Sequence, residues 1–169
     1  PRLTPEIVQG QPVGAGALQL AFEQLRARLA AEGLFDTERK KRLPLLPRRI
    51  GVVTSRHGAA VRDVLKVLGA RFPNAHVTIW PVAVQGASAP DEIAGAVTSL
   101  SRLAAADVVI VARGGGSRDD LSAFNDERVV RAVAACAIPT ISAVGHEVDV
   151  TLTDLAADLR AATPSQAAE

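Results

Sequence analysis

The sequence predicts an α/β fold, a mostly parallel open sheet with helices on both faces, preceded by one helix and a basic linker. Three observations predict it. From Ile50 onward, short apolar runs alternate with amphipathic helical patterns, the order expected when every strand is buried between helices. Turn-forming and chemically rich residues follow the apolar runs, as they do where strands end at a ligand crevice. With 48% hydrophobic residues in 169, the chain can bury one sizeable core, so one main domain is expected.

In chain order, Leu18, Phe22, Leu25 and Leu29 recur at helical spacing, and Gly33 follows as a natural left-handed stop, giving a helix over 17–32. The linker 36–49 comes next, where Pro44 and Pro47 forbid regular helix. The sheet core occupies 50–160. Its first strand is Ile50–Val53. Val61, Val64, Leu65 and Leu68 then mark a helix from about Ala59 that Pro73 terminates. Val77–Trp80, with an extension past Pro81 toward Val84, is the second strand. Ile93, Val97, Leu100 and Leu103 define a further helix, opened by Pro90 with Asp91 and Glu92, where the helix dipole favours acids. Val108–Ala112 is the third strand. A helical stretch from the Ser117/Asp120 capping pattern to about Ala135 leads to a fourth, Ile138–Val144. A short helix is expected over Leu152–Leu159. Thr163, Pro164 and Gln166 then read as the cap, first-turn proline and reciprocal partner of another helix, at 163–169.

Composition excludes several classes. The longest apolar stretches fall well short of the roughly 20 residues that span a bilayer. No secretory leader is visible, so a soluble, cytoplasmic protein without a membrane partner is expected. The single cysteine, Cys136, rules out an internal disulfide framework and sits in an Ala/Val-rich context that reads as a buried helix face. Lys and Arg number 19 against 18 for Asp and Glu, so total charge does not argue for nucleic acid. The run Arg39, Lys40, Lys41, Arg42, Arg48, Arg49 contains no acid; contact with phosphates and a solvated linker both fit it. Four Phe, one Trp and no Tyr make a poor supply of base-stacking rings.

Polar residues converge at three predicted strand ends: Thr54-Ser55-Arg56-His57-Gly58, Arg113-Gly114-Gly115-Gly116-Ser117 and Gly145-His146-Glu147-Val148-Asp149. Arg113 followed by three glycines builds an anion site, because glycines admit a ligand to the backbone and the guanidinium offers a fork of donors. A tight turn with Arg113 in a salt bridge fits the same residues. His146 and Asp149, three residues apart, suit proton transfer, with the carboxylate orienting the imidazole. Metal ligation by His146, Glu147 and Asp149, and simple capping of the next helix, are the competing roles. Asp63 lies outside the apolar stripe of its helix and by pattern reads as a solvated acid.

Taken in order, Arg49-Ile50-Gly51-Val52-Val53-Thr54-Ser55, Gly58-Ala59-Ala60-Val61-Arg62-Asp63, Val109 to Ser117, Ala123-Phe124-Asn125-Asp126-Glu127 and Ile141 to Glu147 resemble the signature blocks of the exodeoxyribonuclease VII large-subunit family. The resemblance runs from about Leu18 to the end. It implies a nuclease that hydrolyses single-stranded DNA from either end to short oligonucleotides without an added metal or other cofactor. It places the catalytic residues on Asp63, Arg113, His146 and Asp149, with Thr54, Ser55, Gly114, Gly115, Gly116 and Ser117 around the phosphate. It also implies that 1–16 is the exit from an oligonucleotide-binding domain, that 17–162 is the catalytic domain, and that 163–169 enters a helical region recruiting small subunits. The chain is then an excised piece. Arg56, His57, Ser122 and Ala162 depart from the family pattern; Ser122 stands where a Trp is common. From residues alone, a nucleotide- or sugar-phosphate-binding domain and an assembly scaffold remain as other readings.

Overall fold

The structure, a computed structural model, describes residues 13–114, 118–145 and 148–169. The chain divides into two units, 1–33 and 34–169. In the first, helix α1 (Val13–Ala31) carries the predicted apolar stripe, graded from Leu18 at 73% exposed to a fully buried Leu29. Gly33 has φ +83°, the left-handed stop expected of it.

The second unit holds strands β1 (Arg49–Thr54), β2 (His76–Pro81), β3 (Val108–Ala112), β4 (Thr140–Ala143) and β5 (Leu159–Arg160). Between and after them come α2 (Ala59–Arg71), α3 (Ala89–Leu103), α4 (Glu127–Ala135), α5 (Leu152–Ala156) and α6 (Pro164–Ala168). All strand pairs are parallel and the order is β2-β1-β3-β4-β5. That order is doubly wound: the chain leaves β1 toward β2, then returns past it to build the other half of the sheet. Ile50, Val52, Val108, Ile110 and Ile141 turn one face of the sheet to Ala60, Val64 and Leu68 of α2, with Ala167 and Ala168 of α6 packed on the same cluster. The opposite face meets α3 at Gly51, where an added Cβ would lie 3.0 Å from Leu100 Cδ2 and 3.3 Å from Ala106 Cβ. Every residue of β3 is buried, which is why it reads as an unbroken apolar run.

Several element boundaries differ from expectation; α1 starts at Val13 rather than at 17, and β4 covers Thr140–Ala143 within the expected Ile138–Val144. The predicted 117–135 helix is a 3-10 segment, Arg118–Asn125, followed by α4, because Asp126 is extended and caps α4 by accepting the Arg128 N–H at 2.9 Å; the proposed Ser117 cap lies outside the described residues. The second strand stops at Pro81. The helix expected over 152–159 ends at Ala156, and a fifth strand follows, because Asp158 takes hydrogen bonds from the Thr140 amide and the Lys41 amide, both at 2.8 Å. Cys136 is buried as expected but sits just past the end of α4.

The basic linker runs along the amino ends of the strands, away from the carboxyl-end crevice, and much of its charge is committed to the fold. Lys40 Nζ donates to the carbonyls of Leu155 and Ala157 at 2.6 and 2.7 Å, satisfying the end of α5, and burial lowers its pKa. Lys41 pairs with Asp158 at 3.3 Å and Arg49 with Asp107 at 2.9 Å. The backbone and guanidinium donors of Arg49 hold the Asp107 carboxyl below its usual range. A depressed carboxylate pKa gives stability that is present above the unfolded value of roughly 3.9 and lost as pH falls through the folded value. Asp107→Asn is therefore expected to cost stability at pH 7, with the gap from the parent closing on the acid side. Urea titrations of both proteins from pH 7 to 3 check this; a gap independent of pH would refute it.

Candidate functional site

The carboxyl ends of β1, β3 and β4 lie side by side where the strand order reverses, the position at which open α/β sheets bind ligands. Val53 stands opposite Val111, and Ala112 opposite Ala143. The same register puts Thr54, Ala112 and Ala143 in one row, with Ser55, Arg113 and Val144 next. Neighbouring strands are about 4.8 Å apart, so these residues are held close by the backbone ladder itself. The Arg113 N–H extends that ladder to the Ala143 carbonyl at 3.2 Å, and the residue is only 6% exposed.

Gly114 carries the turn after β3 onto the tip of α2. A Cβ at this position would lie 2.9 Å from the Ala60 amide nitrogen and 3.3 Å from Ala59 Cβ, so a side chain there would displace backbone. On the other side, Gly58 is the N-cap of α2, a 13-residue helix, and provides no side-chain acceptor for its first amides. Ser55 Oγ packs against Gly58. Thr54 is fully buried, and its hydroxyl has no hydrogen-bond partner among the described residues. It shares strand parity with Ile50 and Val52, so it stands on the sheet face that α2 covers. A buried hydroxyl without a partner costs free energy unless something supplies one.

The loop after β4 returns on itself. Gly145 packs so closely on the Asp149 carbonyl that a Cβ would overlap it, and that Cβ would also stand 2.9 Å from Asp154 Oδ2. Asp149 is therefore held against the end of β4, one strand over from Arg113. Asp63 sits one turn below Ala59 on α2, exposed, at the rim of a recess of about 280 Å³ shared with Ser165 and Glu169. The recess is lined otherwise by Lys66, Val67, Ala70 and Arg71 of α2, so it places Asp63 beside α6. His146, Gly115, Gly116 and Ser117 lie outside the described residues, as does Glu147. Of the trio considered as metal ligands, only Asp149 is described.

Sequence reasoning missed the groups that brace these loops. The Asp154 carboxylate, fully buried, accepts from Ser142 Oγ at 2.6 Å and the Thr151 amide at 2.8 Å, with Arg160 Nε at 3.6 Å. Asn125 Oδ1 accepts the Leu152 amide at 2.8 Å and the Phe124 carbonyl accepts the Thr153 hydroxyl at 2.6 Å, tying the segment after β3 to the start of α5. The available signal was Thr151-x-x-Asp154, a capping-box spacing that the structure shows complete. At the outer rim, Arg128 bridges Asp126 and Asp91, both at 2.9 Å, and its hydrogen bond lowers the Asp126 pKa.

Compared with known proteins, residues 34–169 match the family model described as "Exonuclease VII, large subunit". Proteins named "Exodeoxyribonuclease 7 large subunit" from Syntrophotalea carbinolica, Desulfitobacterium hafniense and Koribacter versatilis are 61%, 60% and 58% identical to it over 159 residues, 94% of this chain. The chain spans 40%, 39% and 35% of their respective lengths.

Proposed function

The chain belongs to the exonuclease VII large-subunit family, and from that membership and the crevice we propose that it forms the catalytic core of a nuclease hydrolysing phosphodiester bonds of single-stranded DNA from either end to short oligonucleotides. The observation that carries this reading is the meeting of a buried Arg113, the Gly114 turn and the amino end of α2 near the buried Thr54 hydroxyl, which has no partner among the described residues. These groups suit an anion with several acceptor oxygens.

In this reading Arg113, the amides of Gly114, Gly115 and Gly116 and the hydroxyls of Thr54, Ser55 and Ser117 hold the scissile phosphate and stabilise the charge that grows on its oxygens. Water attacks phosphorus and the bond to the leaving oxygen breaks. His146 takes the proton from water or delivers one to the leaving oxygen, and Asp149 orients the ring and favours its charged form. Asp63 orients Arg113 or the water. No metal is assigned a role. None of the helices among the described residues is long and apolar enough to cross a membrane. In the complete enzyme the partners are small subunits and single-stranded DNA, in the cytoplasm.

The test is to incubate the complete large subunit, assembled with its small subunits, with end-labelled single-stranded and duplex DNA in excess chelator. Release of short oligonucleotides from the single strand is the expected result. Loss of all cleavage in chelator overturns the metal-free mechanism, and binding of mononucleotides without cleavage under any condition overturns the nuclease assignment.

A further inference from the structure

We propose that Asp154 and Arg160 are positioning residues that hold the loop bearing His146 and Asp149 in its working geometry; the proposal rests on the nuclease reading above. In this loop Val148 is 77% exposed and Val150 44%, so neither side chain anchors it. Its placement comes from its base. There, one carboxylate meets both flanks: Ser142 before the loop donates to Asp154 Oδ1 at 2.6 Å, and the Thr151 amide after it donates to Oδ2 at 2.8 Å. Gly145, where the loop departs, rests on the same Oδ2. Arg160, on β5, approaches Oδ2 at 3.6 Å from the adjoining strand.

A fully buried carboxylate is costly unless its oxygens are occupied, so this arrangement persists only while all of its neighbours keep their places. That makes the carboxylate a clamp: shifting the loop means breaking charge-assisted hydrogen bonds inside the protein. Asparagine at this position retains the shape but loses the charge: with its carbonyl on the Thr151 amide and its N–H₂ toward Ser142 Oγ, which turns to accept, it keeps two neutral hydrogen bonds in place of charge-assisted ones and loses the attraction to Arg160. The loop is then held less firmly. Because His146 and Asp149 act on the reacting bond while DNA is gripped elsewhere, the loss falls on turnover.

In the complete enzyme, Asp154→Asn is expected to lower kcat for a labelled single strand by about 10²-fold, the effect of roughly 1 Å of misplacement, with KM within about threefold of the parent. Arg160→Gln is expected to lower kcat in the same direction, and Arg160→Lys, which restores the charge, to recover part of it. Arg160 is partly exposed, with a side chain 29% accessible, so these two variants decide the matter if Asp154→Asn does not fold. Unchanged kcat in Asp154→Asn or Arg160→Gln, a loss carried by KM, or no recovery in Arg160→Lys overturns the proposal. His146→Ala run in parallel separates the two levels. If it still hydrolyses DNA, the proton-transfer role is wrong whatever Asp154 does; if it is inactive while Asp154→Asn turns over normally, only the positioning role falls.

Discussion

Gly145→Ala is expected to abolish most strand hydrolysis, by at least about 10²-fold in kcat, and to destabilise the fold by about 1–3 kcal/mol. The added methyl would fall on the Asp149 carbonyl, 3.2 Å from the carbon that bears it and 2.9 Å from Asp154 Oδ2. None of these is the far end of a flexible side chain: two are backbone and the third is clamped by Ser142 and Thr151. Relief therefore requires the loop itself to move. In the proposed mechanism His146 and Asp149 both ride on it, so their alignment with a phosphate at Arg113 is lost. Single-turnover cleavage alongside equilibrium binding of single-stranded DNA checks the prediction. Activity within threefold of the parent would mean that the loop does not rest on Asp154 as described.

The largest effect on stability is expected from Phe124→Ala. Phe124 heads the fully buried side chains by volume, and emptying its site should cost about 3–5 kcal/mol, the usual range for deleting a buried aromatic. It lies in the 3-10 segment after β3, and its carbonyl receives the Thr153 hydroxyl at 2.6 Å. The cavity would thus open at the seam where the segment following the Arg113 turn meets α5. Thermal or urea unfolding measures the loss directly, and a change below about 1 kcal/mol would show that the seam does not depend on this ring. On the proposed mechanism activity should fall with it, because Asn125, the next residue, holds the Leu152 amide at the end of the loop after β4.

How much of this was legible in the sequence differs from element to element. The runs at 50–53 and 108–112 and the helical stripes of 59–71 and 89–103 were readable because strand and helix periodicity are local, and the parallel sheet they imply is the one observed. Gly33 and Pro90 marked their helix ends through backbone geometry alone. Strand β5 was not readable: two residues carry no period, and the helical pattern seemed to continue until Asp158 was drawn to Thr140, 18 residues earlier. The linker cations looked available to phosphates for the same reason. Asp107 and Asp158, and the α5 carbonyls that engage Lys40, are 58 to 117 residues from the cations they meet.

The candidate site divides along the same line. Sequence by itself determined the residue types at each strand end, including Arg113 with its glycines, and, through its blocks of motifs, the family. Tertiary structure decided which of those ends are neighbours, setting Ser55, Arg113 and Val144 in one row and Gly114 against α2. It also decided that Asp154, which local pattern presents as a helix cap, is buried and meets Ser142 and the Thr151 amide on both flanks of the loop after β4. The physical reason is range. Periodicity, caps and turns are set by residues three or four apart, whereas a binding crevice and the clamp beneath it are made by contacts between segments that only the folded sheet brings together.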